Sequence, residues 1–116
     1  MQQELKDRTK QIALVTWRNC QELGSEFYDY KRQLIRCSSS VGANYRAACR
    51  AKSDRDFINK LKIVEEELDE TMFFIELIVE LKPDSKDLWR SHYEECLEVL
   101  KIIVTTLKTS RGKLKK

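Results

Sequence analysis

Four arginines offer the sharpest chemistry in this sequence, because their spacing sets them on one stripe. Arg32, Arg36, Arg46 and Arg50 fall in a segment whose pattern predicts a helix. Successive helical residues turn by about 100°, so with Arg32 at zero, Arg36 falls near 40°, Arg46 near −40° and Arg50 near zero. Leu34, Cys37, Val41 and Ala48 fall on the opposite side. Ser39 and Ala43, both small, stand between the arginines, and Lys52 and Arg55 carry the charge on through the following loop. A cleared basic face admits a phosphate backbone closely. The guanidinium fork matches carboxylates as well as phosphates. Three readings therefore stand: contact with RNA or DNA, pairing with acidic residues of the third segment within or between subunits, and plain solvation. The nucleic-acid reading takes Arg32, Arg36, Arg46, Arg50, Lys52 and Arg55 as its contacts.

Other chemistry is sparse. His92 is the one histidine, and its spacing of four from Cys96 could hold a metal on a helix. Two ligands do not make a site, and Cys96 falls on an apolar seam where a thiol serves as a small hydrophobe. Glu65, Glu66, Glu67, Asp69 and Glu70 cluster, but the seam beside them is Val64 and Leu68, and the Glu-x-x-His of di-metal bundles is absent. No glycine-rich phosphate loop and no nucleophile elbow occurs. Cys37 and Cys49 stand 12 residues apart on one predicted helix, roughly 18 Å, too far for a disulfide. The expectation is no metal, no cofactor and no catalysis.

The elements that must position these residues follow from composition and period. The chain has 116 residues, enough for one core. Three Gly and one Pro leave few turns, which argues against an all-β fold, and 41% hydrophobic with 35% charged residues suits amphipathic helices better than disorder. The net charge of +3 is unevenly spread: +5 over residues 1–60, −8 over 61–100 and +6 over 101–116. Such polarity bears on partners more than on fold. No apolar run approaches 18 residues, so no membrane span is expected. Residues 1–11 are polar and charged, unlike a secretory leader, and no CxxC pair occurs among the four cysteines. Reduced thiols and a cytoplasmic location are expected.

Four helices are predicted, over about 2–23, 27–51, 54–81 and from 85 or 86 into the basic tail. Gly24-Ser25 stops the first. Tyr30, Leu34, Cys37, Val41, Asn44, Ala48 and Ala51 form the seam of the second, with spacings alternating 4 and 3. Asn44 on that seam is expected to bond a neighbouring helix and fix the register. Ser53 with Asp56 resembles a capping box for the third, whose seam is Phe57, Leu61, Val64, Leu68, Thr71, Ile75 and Ile78. Pro83 ends it. Trp89, Tyr93, Cys96, Leu100, Ile103 and Leu107 form the fourth seam, and Gly112 marks its fraying. The fold class is all-α, an antiparallel up-down-up-down four-helix bundle over residues 1–110 with a basic tail at 111–116. A second apolar stripe on the third helix, Ile63, Phe74, Leu77 and Leu81, points away from the seam and is expected to meet another subunit.

Residues Arg32-Gln33-Leu34-Ile35-Arg36, then Ser40-Val41-Gly42-Ala43-Asn44, then Ser53 to Phe57-Ile58 resemble a known pattern. It belongs to the bacterial four-helix-bundle family that includes proteins encoded in intervening sequences of 23S rRNA genes, to which the accessory protein of diversity-generating retroelements is related. The resemblance covers roughly residues 8–110. Many relatives carry a glutamate and a glycine just after the Asn, where this chain reads Tyr45-Arg46-Ala47-Ala48, a more basic end to the second helix. The resemblance implies a homopentamer without enzymatic activity, with nucleic-acid binding as the role of the retroelement relative. The function expected is non-catalytic binding of RNA or DNA through backbone phosphates. The alternative is an adaptor that displays a surface to a protein partner such as a reverse transcriptase.

Overall fold

The structure, a computed structural model, describes residues 2–115 and the side chains of 2–114. Its described residues form four helices and no strand: α1 (Gln2–Cys20), α2 (Tyr28–Cys49), α3 (Asp54–Leu81) and α4 (Lys86–Lys115). Short 3₁₀ turns, Ser25–Phe27 and Pro83–Ser85, lead into α2 and α4. Each helix packs against its neighbours in sequence, and α1 closes the ring against α4. The result is the antiparallel up-down-up-down bundle that the seams predict, 50 × 22 × 19 Å.

Local signals set the breaks. At the start of α3 the Ser53 hydroxyl accepts the Asp56 N–H at 3.1 Å. The reciprocal half of the box is not formed, because the Asp56 carboxylate takes Lys60 instead, also at 3.1 Å. Pro83 opens the second 3₁₀ turn, where its missing N–H costs nothing. Gly112 does not end α4: the helix runs through it to Lys115, so residues 111–115 extend the bundle's last helix, and Lys116 lies outside the described residues.

The core divides along the long axis. One cluster, including Leu5, Val41, Ala48, Ile58, Leu61, Leu68, Val99 and Leu107, fills the end where α1 begins and α4 finishes. The other, Cys20, Leu23, Phe27, Leu34, Ile75, Ile78 and Trp89, fills the opposite end. Between them sit buried polar groups. Thr16 lies between Ile12 and Cys20 on α1, and His92 between Trp89 and Cys96 on α4, with 2.7 Å separating Thr16 Oγ1 from His92 Nε2. Thr71 Oγ1 donates to the Glu67 carbonyl at 2.8 Å.

The seams hold in period and shift at single positions. Tyr45 occupies the buried place on α2, and Asn44 turns aside. The Asn44 amide donates to the Ser40 carbonyl at 2.9 Å and the Ser40 hydroxyl at 2.8 Å, so it bonds its own helix and does not fix the register between helices. Ile58 is buried more deeply than Phe57, His92 than Tyr93 and Val99 than Leu100. A 3.6-residue period lets adjacent positions compete for one inward direction, and the angle of the neighbouring helix decides between them.

Candidate nucleic-acid interface

The arginine stripe faces outward, and the bundle divides it. Arg36 leans toward α3, where its guanidinium meets Glu67 at 3.2 Å and Glu70 at 2.6 Å. This is the carboxylate pairing that the sequence left open, made inside one chain. Arg46 leans the other way, toward α1. Arg46 and Arg50 line a groove of about 530 Å³ between α1 and α2, together with Lys6, Thr9, Lys10, Ala13, Ser39, Gly42 and Ala43. Four cations and no carboxylate line it among the described residues. Arg32 lies one turn after Tyr28, its guanidinium 5.7 Å from the ring centre. Lys52 and Arg55 are exposed in and just after the α2–α3 connection.

The groove exists because α1 and α2 are held close above a floor of small side chains. A Cβ on Gly42 would stand 3.5 Å from the Thr9 backbone, ordinary contact, so the two helices nearly touch at that crossing. Thr9 is buried and donates its hydroxyl to the Leu5 carbonyl at 2.8 Å, which leaves no polar group there in need of a partner. Ser39 and Ala43 keep the α2 wall low. Lys6 and Lys10 were not legible as site residues, since α1 has an untidy pattern and nothing in the sequence says that its lysines face Arg46 and Arg50. The spacing of four from Lys6 to Lys10, matched by that from Arg46 to Arg50, is the signal that could have suggested it.

The remaining candidates for chemistry are taken up by structure. Burial lowers the His92 pKa to about 4, and Glu95 beside it is held by Arg8 at 2.8 Å. Burial pushes the Cys20 thiol up to about 11 and the Cys96 thiol up to about 12, which leaves both as poor nucleophiles at neutral pH. No group of three or more potential metal ligands occurs among the described residues. A cleft of about 460 Å³ between α3 and α4 has Ile75, Val79 and Trp89 in its lining and both charge signs among the rest: Glu76, Glu80, Lys86, Arg90 and Glu94.

The apolar stripe on α3 is only partly open. Ile63 is 41% and Leu81 59% exposed, while Phe74 and Leu77 are half-buried. The Phe74 ring packs 6.0 Å from that of Tyr30 on α2. Phe73, absent from the sequence expectation, is 54% exposed and belongs to this face. No described helix is long and apolar enough to cross a membrane.

The comparisons with known proteins agree with this architecture. A crystal structure of a protein of unknown function from the S23 ribosomal protein family of Bacteroides thetaiotaomicron superposes with a TM-score of 0.78 at 27% identity. The match covers 90% of this chain and 98% of that one. No curated protein matches, and no catalytic family is indicated. The family model for the 23S rRNA-intervening sequence protein matches residues 1–105, and with a bundle of this topology beneath it, the chain belongs to that family.

Proposed function

We propose that this chain is a non-catalytic, homo-oligomeric bundle that binds RNA or DNA through backbone phosphates. The α1–α2 groove carries the reading. Lys6, Lys10, Arg46 and Arg50 converge on a shallow channel with small residues at its floor and no carboxylate among its described lining. Phosphate oxygens are the ligands that such a set of donors suits, and the affinity they give is independent of sequence. Arg36 drops out of the contact set because Glu67 and Glu70 hold it. Assembly rests on the exposed part of the α3 stripe, Ile63, Phe73 and Leu81. A pentamer is the assembly that the family resemblance implies, and it would repeat every groove five times.

Oligonucleotide affinity and sedimentation, measured on the same Arg46→Ala and Arg36→Ala proteins, test this reading. Arg46→Ala is expected to weaken binding about equally for all sequences and to lower the log–log salt slope by roughly one unit per lost contact. Arg36→Ala is expected to leave affinity close to the wild-type value. If Arg46→Ala keeps its assembly and its affinity for both RNA and DNA, phosphate binding at the groove is wrong. The adaptor then becomes the better reading.

A further inference from the structure

We infer that the α1–α2 groove takes a single strand in preference to a duplex, with Trp17 as the platform on which one base stacks. The inference rests on the phosphate-binding reading above. Lys6, Lys10 and Ala13 line the groove from the α1 side, and Trp17 continues their spacing of 4, 3 and 4 along the same stripe. Ser39, Ala43, Arg46 and Arg50 face them from α2 with the spacing 4, 3 and 4 read in the opposite direction. Thr9 against Gly42 fixes the level at which the two stripes meet. The basic residues thus gather at one end of the track and Trp17 stands beyond the other. From Lys6 to Trp17 is roughly 16 Å along the helix axis.

Trp17 is 54% exposed, and the adjoining Leu14 is 37% exposed. The Trp17 carbonyl accepts from Gln21, and the residue keeps more than half of its surface open within the chain. A large aromatic ring left open beside a cation-lined channel is the pairing that single-strand binders use: charge follows the backbone while the ring takes a base face of any sequence. A duplex keeps its base faces stacked inside and would have to unstack before it reached the ring.

The sequence supplies a direct readout. It contains two tryptophans, and Trp89 is fully buried, so fluorescence quenching by a ligand reports Trp17. The full chain would be titrated with twelve-nucleotide oligo-dT, oligo-rU and a duplex of equal length, and affinities taken independently by anisotropy. Quenching is expected to saturate with the single strands at the anisotropy-derived affinity. Trp17→Ala is expected to weaken single-strand binding about tenfold with the salt slope and duplex affinity unchanged, and Trp17→Phe to restore most of it. Arg46→Ala is expected to lower the salt slope while the quenching amplitude at saturation persists. Circular dichroism checks that the variants keep their helicity. Success with either sugar supports the inference, and a preference names the sugar. Single-strand binding without quenching, with Trp17→Ala neutral, overturns the inference and leaves the phosphate reading standing. A preference for the duplex overturns it likewise. No binding of any oligonucleotide overturns both. A Trp17→Ala protein altered in sedimentation but not in affinity makes Trp17 a subunit contact and overturns the stacking role.

Discussion

His92 illustrates how a single residue's role is set by what surrounds it. Its spacing from Cys96 allowed a metal, yet its ring lies within the core beside the Thr16 hydroxyl at 2.7 Å. Burial disfavours the imidazolium and lowers the pKa from 6.5 to about 4. The folded chain therefore stays neutral at His92 while the unfolded chain takes up a proton. The contribution to stability is intact above about pH 6.5 and is lost as the pH falls toward about 4, on the order of 3 kcal/mol in all. Urea unfolding between pH 7 and pH 4.5 should show this decline in the wild type and a flatter profile in His92→Gln; parallel profiles would refute it. Asn44 is expected to matter less than its seam position suggests. Its bonds stay within α2, so Asn44→Ala should cost no more than about 1 kcal/mol by chemical denaturation and leave sedimentation unchanged. A larger loss or a changed assembly would restore the register role.

Among the elements, the α1–α2 contact is the one on which the candidate site depends. Gly42 sits inside α2 where the helices approach, and a methyl there would meet the Thr9 backbone at ordinary contact distance. Alanine also forfeits less backbone entropy than glycine in a helix. Gly42→Ala is therefore expected to be neutral or to stabilise by up to about 1 kcal/mol. Gly42→Leu adds a branched side chain where the two helices nearly touch and is expected to destabilise by about 1–3 kcal/mol. Thermal unfolding of the two variants checks the geometry, and equal effects would contradict the close crossing. On the other side of α2, the Arg36 pair with Glu67 and Glu70 ties α2 to α3, but the arginine is 51% exposed and such pairs contribute little in water. Its geometry turns the Arg36 guanidinium toward α3 and away from the α1–α2 groove.

At the scale of the molecule, antiparallel packing gathers charges that lie far apart in sequence. The start of α1, the α2–α3 connection and the end of α4 share one end of the bundle, as Leu5, Ala48, Ile58 and Leu107 share its core cluster. Lys6, Arg46, Arg50, Lys52, Arg55, Lys108, Arg111 and Lys113 therefore lie toward that end, and the acidic run of α3 lies nearer the middle. The molecule also carries an apolar face on α3 that a single copy does not cover. Phe73→Asp and Leu81→Asp are the clean probes of assembly, because both residues are more than half exposed and their loss should spare the core. Each is expected to yield smaller species at wild-type helicity. Phe74→Asp would disturb the contact with Tyr30 as well and so confounds assembly with folding. A wild-type chain that sediments as a monomer at micromolar concentration would end the oligomer reading.

The sequence by itself determined the number of helices, their approximate breaks and, for α2, α3 and α4, the general direction of the buried face. Apolar residues at alternating spacings of 4 and 3 can satisfy burial only in a bundle, and Ser53 and Pro83 act through local backbone chemistry that needs no partner. It also determined that Arg32, Arg36 and Arg46 share one side of α2, because helical geometry follows from residue number alone, while Arg50 stands at the cap just past the helix end. Tertiary structure decided which of adjacent seam positions points inward, as with Tyr45 over Asn44, since the choice depends on the crossing angle of a neighbouring helix. It decided, too, which arginines keep their charge available. Arg36 lies within reach of α3 carboxylates and Arg46 within reach of α1 lysines, and no sequence spacing encodes the distance between one helix and the next. The groove itself, with Lys6, Lys10 and Ala13 along its α1 edge, arises only when α1 is laid against α2, because a site shared by two helices is a property of their packing.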